Sequence, residues 1–174
     1  MWNEIKNTED IKSFMNQMIY FHDSCVKELR YISGAYVENN LSMYPINQSN
    51  TLYIVVQRQF KDMSVVEMKF SGLKELQLNP LSEKHTCEIF QASLLFIDDD
   101  ICWCDSEDWE DADSLDYDGI AVRASSMCWR VVEDALGSDE FYRPKDSCGQ
   151  TVTSEKICCS ENGGDGRENC EKDE

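Results

Sequence analysis

Two histidines, His22 and His85, stand among nine cysteines and 34 carboxylates in this chain of 174 residues. In Phe21-His22-Asp23-Ser24 the residue types are those of a nucleophilic triad. Adjacent residues point apart, however, and a triad is assembled in space from separated segments. No nucleophile elbow accompanies it. The quartet reads instead as a structural turn, in which Asp23 or Ser24 bonds backbone amides between a helix and the first strand and His22 is tucked beneath. No residue is assigned a catalytic role, and the chain is read as non-enzymatic.

The cysteines offer a second chemistry. Cys102-x-Cys104 and Cys158-Cys159 are the close pairs, and the C-x-x-C spacing of zinc ribbons and thioredoxin-like sites is missing. On a strand, Cys102 and Cys104 share one face, so they would supply two metal ligands and need two more from Cys87, Cys128 or a histidine nearby. A simpler role for Cys25, Cys87 and Cys128 is that of small buried apolar residues. An odd number of cysteines in no regular framework, with no export signal and no apolar run of membrane length, points to reduced thiols in a cytoplasmic protein. No cofactor or metal is expected, and a metal-binding or thiol-redox protein is the alternative reading.

The strongest outlier is acidic. The chain carries −18, but residues 1–97 hold 11 acidic and 9 basic side chains, residues 98–118 hold 11 and none, and residues 119–174 hold 12 and 7. More than half of the excess therefore lies in 21 residues. A calcium loop would place Asp116, Asp118 and Gly119 at positions 3, 5 and 6 of an EF-hand template, but Ser114 and Ser125 then fall at positions 1 and 12, where carboxylates are required. Paired carboxylates for glycoside hydrolysis are abundant without a pocket to define them. A solvated loop needs no tryptophan, whereas Trp109 inside the run suits an interface: aromatic anchors supply affinity and charges steer encounter. The recognition surface read here comprises Asp98, Asp99, Asp100, Asp105, Glu107, Asp108, Trp109, Glu110, Asp111, Asp113, Asp116 and Asp118, and its partner is a basic protein. The same field repels nucleic-acid phosphates and anionic membranes.

Positioning these groups falls to a fold read from periodicity. Ile11, Phe14, Met15, Met18 and Ile19 form one apolar stripe at helical spacing, capped by Asn7 or Thr8. Period-two segments follow at 26–37, 51–58 and 66–70, the last ended by Gly72. Residues 87–97 read as one long strand, apolar on both faces near its end and therefore central. Asp98, Asp99 and Asp100 turn into a short strand at 101–104, where Trp103 is a core candidate. The last strand, 120–132, changes phase at Ser125-Ser126. The expectation is an α+β fold, an N-terminal helix packed on a twisted, mainly antiparallel sheet of five or six strands, in a single domain of residues 1–135. Residues 136–174, polar and cysteine-bearing, read as a mobile tail.

Three clusters give a resemblance: Phe21-His22-Asp23-Ser24 before the first strand, Met68-Lys69-Phe70-Ser71-Gly72-Leu73, and Ile120-x-x-x-Ala124 with Met127 and Trp129. In this order the chain resembles small, largely uncharacterised bacterial proteins that include immunity proteins of polymorphic toxin systems. The resemblance spans about residues 20–132. It implies a cytoplasmic antiparallel-sheet protein that neutralises a toxin by binding, without catalytic residues.

Overall fold

The helix forms where the apolar stripe requires it. In a computed structural model, which describes residues 1–46, 49–79, 86–107 and 119–139, α1 spans Thr8–Gln17. The Asn7 side chain accepts from the Asp10 amide at 3.0 Å, and the Asp10 carboxylate accepts from the Lys6 amide at 2.9 Å. The first bond satisfies an amide that the first turn leaves unpaired, and the second ties the Lys6 amide, just before the cap, back to that turn. Ile11, Phe14, Met15 and Met18 are buried as the stripe predicts, but Ile19 is half exposed. The helix has ended by then, because Ile19, Tyr20 and Phe21 all adopt left-handed backbone with φ of 51°, 52° and 63°.

Among the described residues ten strands accompany the helix: β1 (Asn3–Ile5), β2 (Ser24–Ile32), β3 (Tyr36–Val37), β4 (Met43–Tyr44), β5 (Thr51–Arg58), β6 (Val65–Leu78), β7 (Glu88–Ile89), β8 (Ser93–Ile97), β9 (Asp100–Cys104) and β10 (Ile120–Val131). The main sheet runs β7-β2-β5-β6-β10-β9-β8, with β1 also pairing β10, and every pairing is antiparallel. β3 and β4 form a separate ribbon. The α+β expectation holds in outline, with eight strands in the sheet where five or six were expected. Two- and three-residue strands such as β7 and β1 are too short to show a period.

Three segments differ from their sequence reading. The stretch 26–37 breaks at Gly34, whose φ is +85°, and becomes β2 and β3. Gly72 does not end its strand: its φ of +66° bends β6, which then continues to Leu78. An ideal Cβ at Gly72 would lie 2.8 Å from Ser125 Oγ, so a larger residue would also have to displace that exposed side chain. The phase change at Ser125-Ser126 is present in β10, where both serines are exposed while Ala124 and Met127 are buried. Residues 87–97 form two strands at opposite ends of the sheet, not one central strand. The run looked two-faced because β8 packs on two clusters: Leu94 joins the main core, whereas Leu95 and Ile97 lie against Cys102, Cys104 and Ala121.

The link between β7 and β8 also sets the curvature. Only Phe90, Gln91 and Ala92 separate them, so their ends are at most about 15 Å apart. Seven flat strands would hold them about 29 Å apart at the usual strand spacing. The sheet therefore curls. α1 and the left-handed turn pack on the core face, with Phe14 4.9 Å from the Trp129 ring and Phe21 edge-on to Phe14 and Trp103 at 5.6 and 6.2 Å. Trp103 is fully buried there.

By its internal contacts the chain divides into Met1–Tyr142 and Arg143–Glu174. Beyond residue 135 the described chain is held for a short distance, since Gln57 Nε2 donates to the carbonyls of Ala135 and Gly137 at 2.9 and 3.0 Å. The segment read as a mobile tail otherwise lies outside the described residues.

Candidate recognition surface

Strand β9 divides the acidic run. Asp98 and Asp99 form the β8–β9 turn, both left-handed at φ 49° and 68°, a conformation that aspartate tolerates better than most residues. Asp105 follows the other end of β9, seven residues on, which at strand rise is about 23 Å away. Among the described residues, the acidic side chains of the run therefore stand at both ends of β9. Asp98 and Asp99 are exposed at one end and Glu107 at the other. Asp108, Trp109, Glu110, Asp111, Asp113, Asp116 and Asp118 lie outside the described residues.

Asp100 departs from the expectation of an exposed carboxylate. It begins β9 with its side chain 5% exposed, 2.6 Å from Lys74 Nζ and 2.8 Å from Arg123 Nε. The hydrogen bond from Lys74, seconded by Arg123, holds its carboxyl below the ordinary range despite burial. β6 makes this possible. Its register against β10 shifts between Arg123 and Ala124, where Lys74 is the extra residue, and the Lys74 ammonium reaches across to β9. Asp100 therefore ties three strands together and does not face a partner.

Asp105 has a positioning role as well. Its Oδ1 accepts from the Ile120 amide at 3.0 Å and its own amide donates to the Ile120 carbonyl at 3.2 Å. Ser93 Oγ lies 2.6 Å from the Ser106 carbonyl and 3.0 Å from that of Glu107. The connection between β9 and β10 is thereby pinned to the sheet at both ends.

A second buried carboxylate escaped the sequence reading. Glu67 alternates with Val66 and Met68 and looked solvent-facing, yet its side chain is fully buried. Arg130, directly opposite on β10, places Nε 2.6 Å and Nη2 2.5 Å from Glu67 Oε2, and Arg30 Nη2 lies 3.5 Å from Oε1. Burial pushes this carboxyl above its ordinary value, opposed by Arg130 and more weakly by Arg30. The Arg130 guanidinium lies 4.5 Å from the Trp2 ring and that of Arg30 4.7 Å from Tyr53. Burial on this face comes from long cationic and aromatic side chains laid over the carboxylate, which no local pattern announces.

His22, Asp23 and Ser24 lie in the turn that enters β2, with different bonds from those expected. Ser24 is buried and its hydroxyl donates to the His22 carbonyl at 3.2 Å. His22 is exposed, not tucked beneath the turn, and its Nδ1 lies 3.1 Å from Asp23 Oδ1. Ser24 Oγ thus bonds the backbone carbonyl and not the imidazole, so the three side chains do not form a relay. Beside them Arg58, 4% exposed, donates to the carbonyls of Met18 and Met63 at 2.9 and 3.1 Å.

Cys102 and Cys104 share a face of their strand as expected, whereas Cys25, Cys87 and Cys128 are less buried than expected. Cys102 and Cys104 are fully buried on one face of β9, while Cys87 is exposed and Cys25 and Cys128 are half-buried. The residues opposite Cys102 are Leu95 and Arg123, and those opposite Cys104 are Ser93 and Ala121. Burial pushes the Cys102 thiol up to about 11. A thiolate is the form that attacks or ligates, so this setting suits an inert core thiol. Among the described residues no group of three or more His, Cys, Asp or Glu side chains is placed to hold a metal ion. No described helix is long and apolar enough to cross a membrane. Neither a family model, a curated protein nor a solved structure matches the chain.

Proposed function

We propose that this chain is a non-catalytic cytoplasmic binding protein of the inhibitor or immunity type, which captures a basic partner through the acidic connection between β9 and β10. A nuclease is the partner class that fits best, since its active cleft is built to receive phosphate and carboxylates mimic that charge. The resemblance of the 20–132 region to immunity proteins points the same way.

The observation that supports the reading most is the pinned base of the connection. Asp105 and Ser93 fix its first residues, and Ile120 fixes its last, so the negative residues leave a rigid scaffold. The cations of the adjacent strands are meanwhile drawn onto the sheet: Lys74 and Arg123 contact Asp100 at 2.6 and 2.8 Å, and Arg130 contacts Glu67.

The test compares association rates for the basic protein retained on the immobilised chain at low salt. One variant reverses Glu107, Asp108 and Asp111 to lysine; Asp105 is kept because it holds the Ile120 amide. A control reverses the exposed Glu9, Asp62 and Glu133. Each reversal adds two charges, so three of them take both variants from −18 to −12. We expect the first variant to associate at least about tenfold more slowly and the control to change less than about threefold, with the wild-type rate falling steeply with salt. Equal rates for the two variants would show that net charge, and not this segment, governs capture.

A further inference from the structure

Between β2 and β5 the chain leaves the main sheet and forms the ribbon β3–β4, whose strands are two residues each. Its side chains are large, apolar and outside: Tyr36, Val37, Leu41, Met43, Tyr44 and Ile46 are 45–82% exposed. Isolated two-stranded ribbons are marginal in water, and natural proteins seldom leave this much apolar surface uncovered without a use for it.

The ribbon is nonetheless presented on a fixed base. Gly34 has φ +85°, and a Cβ there would lie 2.7 Å from the Ser49 nitrogen, so the two legs approach as only glycine permits. The amides of Ser49 and Asn50 both donate to the Ser33 carbonyl, at 3.2 and 3.3 Å. At the tip, Glu38 and Ser42 pair through the backbone at 2.9 Å, and the Tyr36 and Tyr44 rings stack at 4.8 Å.

We propose that the ribbon β3–β4 is the contact through which two copies of this chain form a two-fold symmetric dimer. Two observations select a second copy as the occupant. Residues 31–46 contain a single charged side chain, Glu38, in a chain of −18, so copies can meet here with little of the repulsion they meet elsewhere. A basic partner, conversely, finds no complementary charge on the ribbon. Lastly, β3 and β4 each pair only with the other among the described residues, leaving both outer edges of the ribbon open. An isologous contact pairs an edge with the same residues from both copies and brings apolar side chains of the same face together across it.

The experiment is sedimentation velocity on the full chain from about 1 to 50 µM, at about 50 and 300 mM NaCl, where screening lengths differ about twofold. A dimer is expected whose association strengthens with salt, because the net charges repel; capture of a basic partner weakens with salt, so the two proposals fail separately. The variant Leu41→Asn/Met43→Thr removes apolar surface without removing the ribbon. Leu41 has φ 68°, which asparagine tolerates better, and threonine favours strands. It should raise the dimer dissociation constant at least tenfold with an unchanged melting temperature of the dilute monomer. A wild-type chain that stays monomeric at about 50 µM in both salts overturns the proposal, as does a dimer that the variant leaves intact. Co-sedimentation of a monomeric chain with phosphatidylcholine vesicles would give the ribbon to a lipid surface and equally overturn it.

Discussion

Replacing Arg130 by methionine tests the account of Glu67 most directly. Arg130 places two nitrogens 2.6 and 2.5 Å from a carboxylate with no solvent access, and Arg30 lies at 3.5 Å. Removing one partner of a buried pair costs about 3–5 kcal/mol. Here the cost has a ceiling, because the orphaned carboxyl can take up a proton. Between its ordinary 4.5 and pH 7 that uptake costs about 3.4 kcal/mol, at 1.36 kcal/mol per pH unit. The pKa of Glu67 is already raised, so part of this cost is present in the wild type, and the expected loss at pH 7 is no more than about 3 kcal/mol. For a folded unit of this size that ceiling amounts to about 10 °C in Tm. The sign with pH follows from the same shift. A group with a raised folded pKa contributes its stability fully below the unfolded value and loses it as pH rises through the folded one. Without Arg130 that folded value rises further, so the deficit should open only as pH passes the raised wild-type value, which lies above 4.5, and should be below about 1 kcal/mol at pH 4. Urea unfolding followed by circular dichroism at the two pH values measures both numbers. Glu67→Met with Arg130→Met should recover most of the loss, since the uncompensated charge is gone. A deficit equal at both pH values would locate the effect in the lost contact with Trp2 and refute the electrostatic reasoning.

Two further outcomes follow from particular residues. Ile19→Asn should raise stability by about 0.5–1 kcal/mol, because a β-branched residue is strained at φ 51° and Ile19, 48% exposed, has little burial to lose; a lowered Tm on differential scanning calorimetry would contradict this. Asp100→Asn should flatten the acid limb of the stability curve: a depressed folded pKa gives stability present above the unfolded value of 3.8 and lost as pH falls through the folded value, so wild type and variant should converge in acid. Denaturant midpoints taken between about pH 6 and 2 that run parallel would show that Asp100 is not the linked group.

The helix, most strand positions and the burial of Trp103 were legible in the sequence because each depends on neighbours a few residues away. Asn7, the stripe from Ile11 to Met18 and the alternation of 51–58 are local patterns, and the structure returns them at or near the same boundaries. Residues 87–97 were misread because periodicity reports how many faces are apolar, not what covers them. Leu95 and Ile97 are covered by Cys102, Cys104 and Ala121 at the edge of a curled sheet, and a central strand shows the same pattern. The fate of Ile19 turned on backbone handedness, which its side chain does not encode.

For the candidate site, the sequence by itself determined the amount and concentration of acidic charge, since charge counts need no coordinates. Which carboxylates remain for a partner was decided only in three dimensions. Asp100 and Glu67 are withdrawn by Lys74, Arg123, Arg30 and Arg130, residues 23 to 63 positions away or on strands not adjacent in sequence. An ion pair is a property of distance in space, and strand register, bulge and curl set that distance. The same holds for the ribbon: composition shows that 31–46 is apolar, but only the departure of β3–β4 from the main sheet shows that its surface is left outside the fold.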